Sequence, residues 1–250
     1  MARMKFMNTE VDNLTMSEAL TEINNLILQN KNAYVVTPNV DHIVQLDRGG
    51  ELTEVYRNAD LILTDGKPLI WISKWYRTPI KEKISGSDLF PKVCELAAKK
   101  GYRMFFLGAA EGVAAKAAEN LAARYLGLRV VGTYSPPFGF EKNEAEMEKI
   151  KKLIKEAAPH ILVVGLGCPK QELFIFHHKD ELGVPLSLGL GASLDFEAGN
   201  IKRAPKWMAD HGLEWLYRIT QDPKRLAKRY LVDDTKILKL AVKYKKKGEA

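Results

Sequence analysis

Cysteine is scarce in this chain: Cys94 and Cys168 are the only two among 250 residues, too few for a disulfide framework and without the companions of a zinc site. A reducing compartment is the natural setting. No apolar run reaches the length of a spanning helix, and Met1 to Met7 lacks the apolar core of a secretory signal, so a cytoplasmic protein is expected, with any membrane contact peripheral. The five histidines, His42, His160, His177, His178 and His211, form no His-Glu-x-x-His, and there is neither a Gly-x-Ser-x-Gly elbow nor a Walker loop. Asp-x-Asp, the usual metal-binding signature of sugar-nucleotide transferases, is missing from every strand end, so neither a metal nor another cofactor is expected. Gly165-Leu-Gly167 lacks the third glycine of a dinucleotide fingerprint, which argues against NAD.

What is present is a chain with 46% hydrophobic residues, enough for a substantial core. Its charge is uneven. Lys202 to Lys247 holds 14 Lys and Arg against 5 Asp and Glu, a net +9, which leaves −2 for the rest of a chain whose total is +7. An anionic partner for the last fifth alone is implied: nucleic acid, anionic lipid or a diphosphate.

Short apolar runs alternate with helical patterns. Ala33–Val36, Asp60–Leu63, Tyr102–Leu107, Arg129–Thr133, Ile161–Val164 and Pro185–Leu190 read as strands, with helical stretches between them. That alternation predicts an α/β fold, a doubly wound, mostly parallel sheet with helices on both faces. Residues 1–200 form the expected Rossmann-like core, and 201–250 a helical, basic appendage. The stretch Pro159 to Glu172 reads as a buried strand entering a glycine-spaced loop and then a helix start at Pro169, the place where such sheets hold ligands. A tight turn without a ligand fits the same residues. Two further strand ends present Thr37, Asn39 and Asp65, while Trp71 and Trp75 read as core or interface. On a helical wheel Pro223 to Lys247 puts Leu226, Tyr230, Ile237, Leu240, Ala241 and Tyr244 on one arc and basic residues on another. This amphipathic helix suits an anionic membrane surface or anionic ligand, with a surface helix packed on its own domain as the alternative.

A carboxylate at a strand end, with arginines arriving from the C-terminal segment, suits base-assisted transfer from a nucleotide-activated donor, although Asp65-Gly66 is also an ordinary turn pair. The blocks TPNVDHIVQL, ADLILTDGKP, ISGSD, PKQE and DFEAGNIKRAPKWMADHGLEWLYRITQDPKRLAKRY resemble the WecG/TagA/CpsF family of bacterial glycosyltransferases over nearly the whole chain. For its TagA branch the resemblance implies inverting transfer of N-acetylmannosamine from UDP-N-acetylmannosamine to GlcNAc-diphospho-undecaprenol. The product is a β-1,4 link of the teichoic acid linkage unit, made by a peripheral protein on the inner face of the cell membrane. It implies Asp65 as catalytic base, Thr37, Asn39 and Gln171 as pocket-lining residues, and Arg218, Arg225 and Arg229 as C-terminal arginines reaching over the site. Lys83, in a position where the family commonly has arginine, and Asp195, in the looser block SLGLGASLDF, are the remaining substrate-binding candidates. Lys228 in the arginine cluster and Phe174 after PKQE are further departures. Lysine cannot form the planar fork of arginine on a phosphate. The implied partners are the sugar nucleotide, the polyprenyl-diphosphate acceptor and anionic lipid, not nucleic acid; a homo-oligomer stays open. Two other readings stand beside this one: the same chemistry with glucose or N-acetylmannosaminuronic acid, and a non-catalytic nucleotide- and lipid-binding module.

Overall fold

The computed structural model describes residues 3–205, 207–208 and 211–246, apart from the side chain of Arg225. Its strands are β1 (Arg3–Phe6), β2 (Thr9–Asp12), β3 (Ala33–Val36), β4 (Leu61–Ile62), β5 (Arg103–Gly108), β6 (Arg129–Tyr134), β7 (Ile161–Gly165) and β8 (Leu186–Gly189). The chain falls into two compact units: residues 1–16, 37–85 and 201–250, and residues 17–36 and 86–200. The expected appendage, 201–250, lies within the first of these, together with 1–16 and 37–85.

The second unit carries β3, β8, β7, β5 and β6 side by side in that order, every neighbouring pair parallel. All of β3, β7 and β8 is buried, as expected of strands covered on both faces. The chain moves outward from β5 to β6 and then returns past β5 to β7. Because crossovers between parallel strands are right-handed, this reversal sends the connecting helices Val113–Arg124 and Glu144–Ala157 to opposite faces. The fold is the doubly wound α/β arrangement, and its point of reversal lies between β5 and β7. There Gly108, at φ +111°, brings the backbones of the two strand ends together, and a Cβ on it would meet Gly165 O at 2.4 Å. The Ala109 N–H donates to Gly165 O at 2.8 Å.

The first unit contains the antiparallel hairpin β1–β2, of which the sequence offers only a short strand candidate at Lys5–Met7. Buried Asp12 fixes it, accepting two hydrogen bonds from Arg3 (3.0 and 2.9 Å) and one from the Ile62 N–H (2.8 Å). Its C-terminal part is not the single helix expected from Pro223 onward. A helix spans Pro223–Lys228, a wider π-type turn Arg229–Asp233, and a last helix Lys236–Lys246. The apolar arc of that last helix, Ile237, Leu240, Ala241 and Tyr244, is buried in its own unit. Tyr76 Oη donates to Ala241 O, and both Lys243 Nζ and Tyr244 Oη donate to Asp47, each at 2.6 Å. Trp71 and Trp75, expected in the core or an interface, are half exposed.

Candidate functional site

Thr37-Pro38-Asn39 follows β3, and Asn39 caps the helix Val40–Leu46. Its Oδ1 accepts from the Asp41 and His42 N–H groups at 3.0 and 3.4 Å and lies 2.8 Å from His42 Nδ1. The reason is local: Asn with His three residues on forms a reciprocal capping box. Asp65 comes to the same turn through the backbone, its N–H donating to Pro38 O at 2.8 Å. The two strand ends named from the sequence therefore do meet. The next segment joins them: the Ile84 N–H donates to Thr64 O at 2.8 Å, and Lys83 Nζ lies 3.5 Å from Ser85 Oγ.

The C-terminal helices of the same unit bring one arginine, Arg218, to this carboxylate and a second, Arg229, to the adjoining Asn39 turn. Arg218, in the helix Glu214–Gln221, is opposed by burial, but Tyr230, Glu214 and Asp65 outweigh that and hold the guanidinium above its usual range. Its Nη2 is 3.6 Å from Glu214. Arg229 Nη2 donates to Asn39 Oδ1 at 3.4 Å and pairs with Asp41 at 3.5 Å. Arg225 belongs to the helix Pro223–Lys228, and its side chain lies outside the described residues. Thr37 is buried. A carboxylate with one permanent cation beside it and a second at the adjoining turn can take a proton from a hydroxyl while the guanidinium groups neutralise a departing diphosphate.

Gln171 and Asp195 belong to the second unit. Gln171, at the start of the helix Lys170–Leu182, is 3% exposed and ties two loops together. Its Oε1 accepts from the Gly167 N–H after β7 (3.2 Å) and the Gly191 N–H after β8 (2.9 Å), and its Nε2 donates to buried Glu172 (2.7 Å). Beside them Ser135 Oγ donates to Gly108 O and Ala110 O, both at 3.1 Å, so the Tyr134-Ser-Pro-Pro loop folds over the end of β5. Asp195 sits in the first turn of the short helix Ser193–Ala198 that follows the β8 loop. A cavity of about 560 Å³ in the first unit, lined by Asn8, Thr53, Tyr56 and Tyr244 among others, includes none of these residues.

Asp41, His42, Glu172 and Asp234 were not picked out from the sequence. The Asn-x-x-His spacing could have announced the capping box. From sequence alone Asp233-Asp234 is an adjacent acidic pair that balances basic neighbours; Asp233 does so, 3.0 Å from Lys236 Nζ, whereas Asp234 is 8% exposed and faces Arg229. Among the described residues, no helix is long and apolar enough to cross a membrane.

A family model described as "Glycosyl transferase WecG/TagA/CpsF family" matches residues 4–250. The chain is 34% identical over 197 residues to the N-acetylglucosaminyldiphosphoundecaprenol N-acetyl-β-D-mannosaminyltransferase of Bacillus spizizenii, covering 79% of this chain and 74% of that one. The protein of the same name from Bacillus subtilis is 31% identical over 190 residues, 76% of this chain and 71% of its own. That of Staphylococcus aureus is 28% identical over 229 residues, 91% and 88%.

Proposed function

The chain belongs to the WecG/TagA/CpsF family of glycosyltransferases, and from that premise we propose that it moves N-acetylmannosamine from UDP-N-acetylmannosamine to the GlcNAc of GlcNAc-diphospho-undecaprenol, inverting the anomeric centre to give a β-1,4 link. The observation that carries the reading is the association of Asp65 with Arg218 in one unit, beside the Asn39 turn that Arg229 contacts. Asp65 takes the proton of the attacking GlcNAc hydroxyl, whose oxygen forms the new bond to the anomeric carbon as the bond to the diphosphate breaks. The electron pair of that bond leaves on UDP, and Arg218, Arg225 and Arg229 receive the charge it develops, with Lys83 as a further point charge. Thr37 and Asn39 contact substrate beside Asp65, and Gln171 and Asp195 are the substrate-binding residues of the second unit. The acceptor's lipid stays in the bilayer, so the protein works at the inner face of the membrane, docked through its C-terminal segment.

Purified protein, a panel of UDP-sugars and a short-chain, water-soluble GlcNAc-diphospho-lipid test this. A disaccharide lipid formed from UDP-N-acetylmannosamine alone is expected. Product from UDP-glucose or UDP-N-acetylmannosaminuronic acid instead would reassign the donor, and nucleotide binding with no product from any donor would sink the reaction.

A further inference from the structure

Between Lys228 and Lys236 the backbone departs from the α-helix on either side. The Asp234 N–H reaches back five residues to Arg229 O at 2.8 Å, closing the π-type turn Arg229–Asp233. At 3.6 residues per turn, side chains five apart point away from each other; the wider turn brings Arg229 Nε to 3.9 Å from Asp234 Oδ2. The guanidinium is thus bounded by acceptors from two elements: Asn39 Oδ1 (3.4 Å) and Asp41 Oδ2 (3.5 Å) on the capped helix, and Asp234 on its own. None of these contacts is short. Arg229 Nε and Asp234 Oδ1 are both buried without a hydrogen-bond partner among the described residues, so what joins the two side chains here is charge attraction at 3.9 Å rather than a hydrogen bond.

We propose that Asp234 is a positioning residue for Arg229: its carboxylate, set by the π-type turn, holds the guanidinium against the Asn39 turn, where it can meet the diphosphate of a sugar nucleotide. The proposal rests on the reading of Arg229 as a diphosphate ligand. A buried carboxylate next to a guanidinium is costly to desolvate, and nothing in the packing requires it there, since an amide of the same shape would fill the space. Position is what the charge adds.

The groups facing Asp234 predict how the hold depends on pH. Burial pushes its carboxyl up to about 6; Arg229 and His42 oppose this, while Asp41 and Asp233 reinforce it. The charged form therefore exists above about pH 6, and the hold on Arg229 is lost as pH falls through that value.

Calorimetric binding of UDP to the full-length protein is the test, on the parent, Asp234→Asn, Arg229→Ala, the double variant and Asp234→Glu, each first checked for an unchanged thermal transition. At pH 7.5 we expect Arg229→Ala and Asp234→Asn each to weaken UDP binding by about tenfold or more, the double variant to be no weaker than Arg229→Ala, and Asp234→Glu to recover part of the loss. The ratio of parent to Asp234→Asn affinity should shrink towards one as pH falls to 5, a comparison from which the titration of UDP itself cancels. Asp234→Asn within twofold of the parent at pH 7.5, additive losses in the double variant, or no effect of Arg229→Ala would each overturn the proposal. A parent that binds UDP but transfers no sugar would overturn the reaction and leave this cycle readable; a parent that binds no UDP would overturn both.

Discussion

Replacing Asp65 with asparagine keeps the shape of the side chain and removes only its ability to accept a proton. The fold has no stake in that carboxylate through its main anchor, because the 2.8 Å bond to Pro38 O comes from the Asp65 backbone N–H and survives the change. Arg218 loses one of three groups that support its charge, while Tyr230 and Glu214 remain, so the guanidinium stays protonated. The expected loss is that of a positioned general base, about 100- to 10,000-fold in kcat. At about 1.4 kcal/mol per decade this is about 3 to 5 kcal/mol of barrier, with KM for the donor within a few-fold of the parent. Arg218→Ala should divide its effect differently, raising donor KM as well as lowering kcat, because a guanidinium grips the diphosphate before and during its departure. Initial rates with UDP-N-acetylmannosamine and the soluble acceptor, over a range of both substrates, separate these outcomes. Turnover by Asp65→Asn within about fivefold of the parent would show that the proton goes elsewhere.

Three further outcomes follow from named contacts. Gln171→Ala strands the Gly167 and Gly191 N–H groups, and with each unsatisfied amide costing about 1–3 kcal/mol, urea unfolding should show a loss of about 2–6 kcal/mol; less than about 0.5 kcal/mol would mean the bridge is idle. Gly108→Ala combines a left-handed φ with a Cβ 2.4 Å from a backbone oxygen, so about 3 kcal/mol or more should be lost, and an unchanged melting temperature would contradict the tight β5–β7 approach. Leu238→Asp with Val242→Asp, at sites 69% and 44% exposed, should weaken sedimentation with phosphatidylglycerol vesicles at least tenfold and leave turnover on the soluble acceptor within twofold; equal vesicle binding would place the membrane contact elsewhere.

The sheet was legible because its signal is periodic and local. Ile161–Val164 is a continuous apolar run ended by glycine, and it forms β7 with every residue buried. Asp65 and the Thr37–Asn39 turn were legible as strand ends, although β4 itself is only Leu61–Ile62. What stayed hidden depends on pairings distant in the chain. The hairpin partner Thr9–Asp12 has a polar, half-exposed pattern, and Asp12 acquires its meaning only from Arg3 and the Ile62 amide. Gln171 could be named from a motif, but its work of joining the loops after β7 and β8 lies in two backbone amides that no residue identity announces.

The C-terminal helix shows how a correct pattern can leave its contact open. The wheel put Ile237, Leu240, Ala241 and Tyr244 together, and they are together, but an apolar arc specifies only that something covers it. Here the first unit covers it, so those residues cannot also enter a bilayer. Lys243 is likewise engaged with Asp47, and Lys245 with the Trp75 carbonyl and ring, the ring centroid 3.9 Å away. On the proposed docking, contact with lipid falls to the outward residues, Leu231, Val232, Leu238 and Val242, all exposed. Lys239 beside them adds about 1 kcal/mol near an anionic surface. On this division the inner arc holds the helix to the unit that carries Asp65, Arg218 and Arg229, and the outer residues meet the membrane. Docking and catalysis then share one unit across three successive elements, with Arg218 in Glu214–Gln221, Arg229 in the π-type turn and the apolar arc in Lys236–Lys246, and a chain cut before Arg203 would lose the proposed anchor, these arginines and the cover over Tyr76.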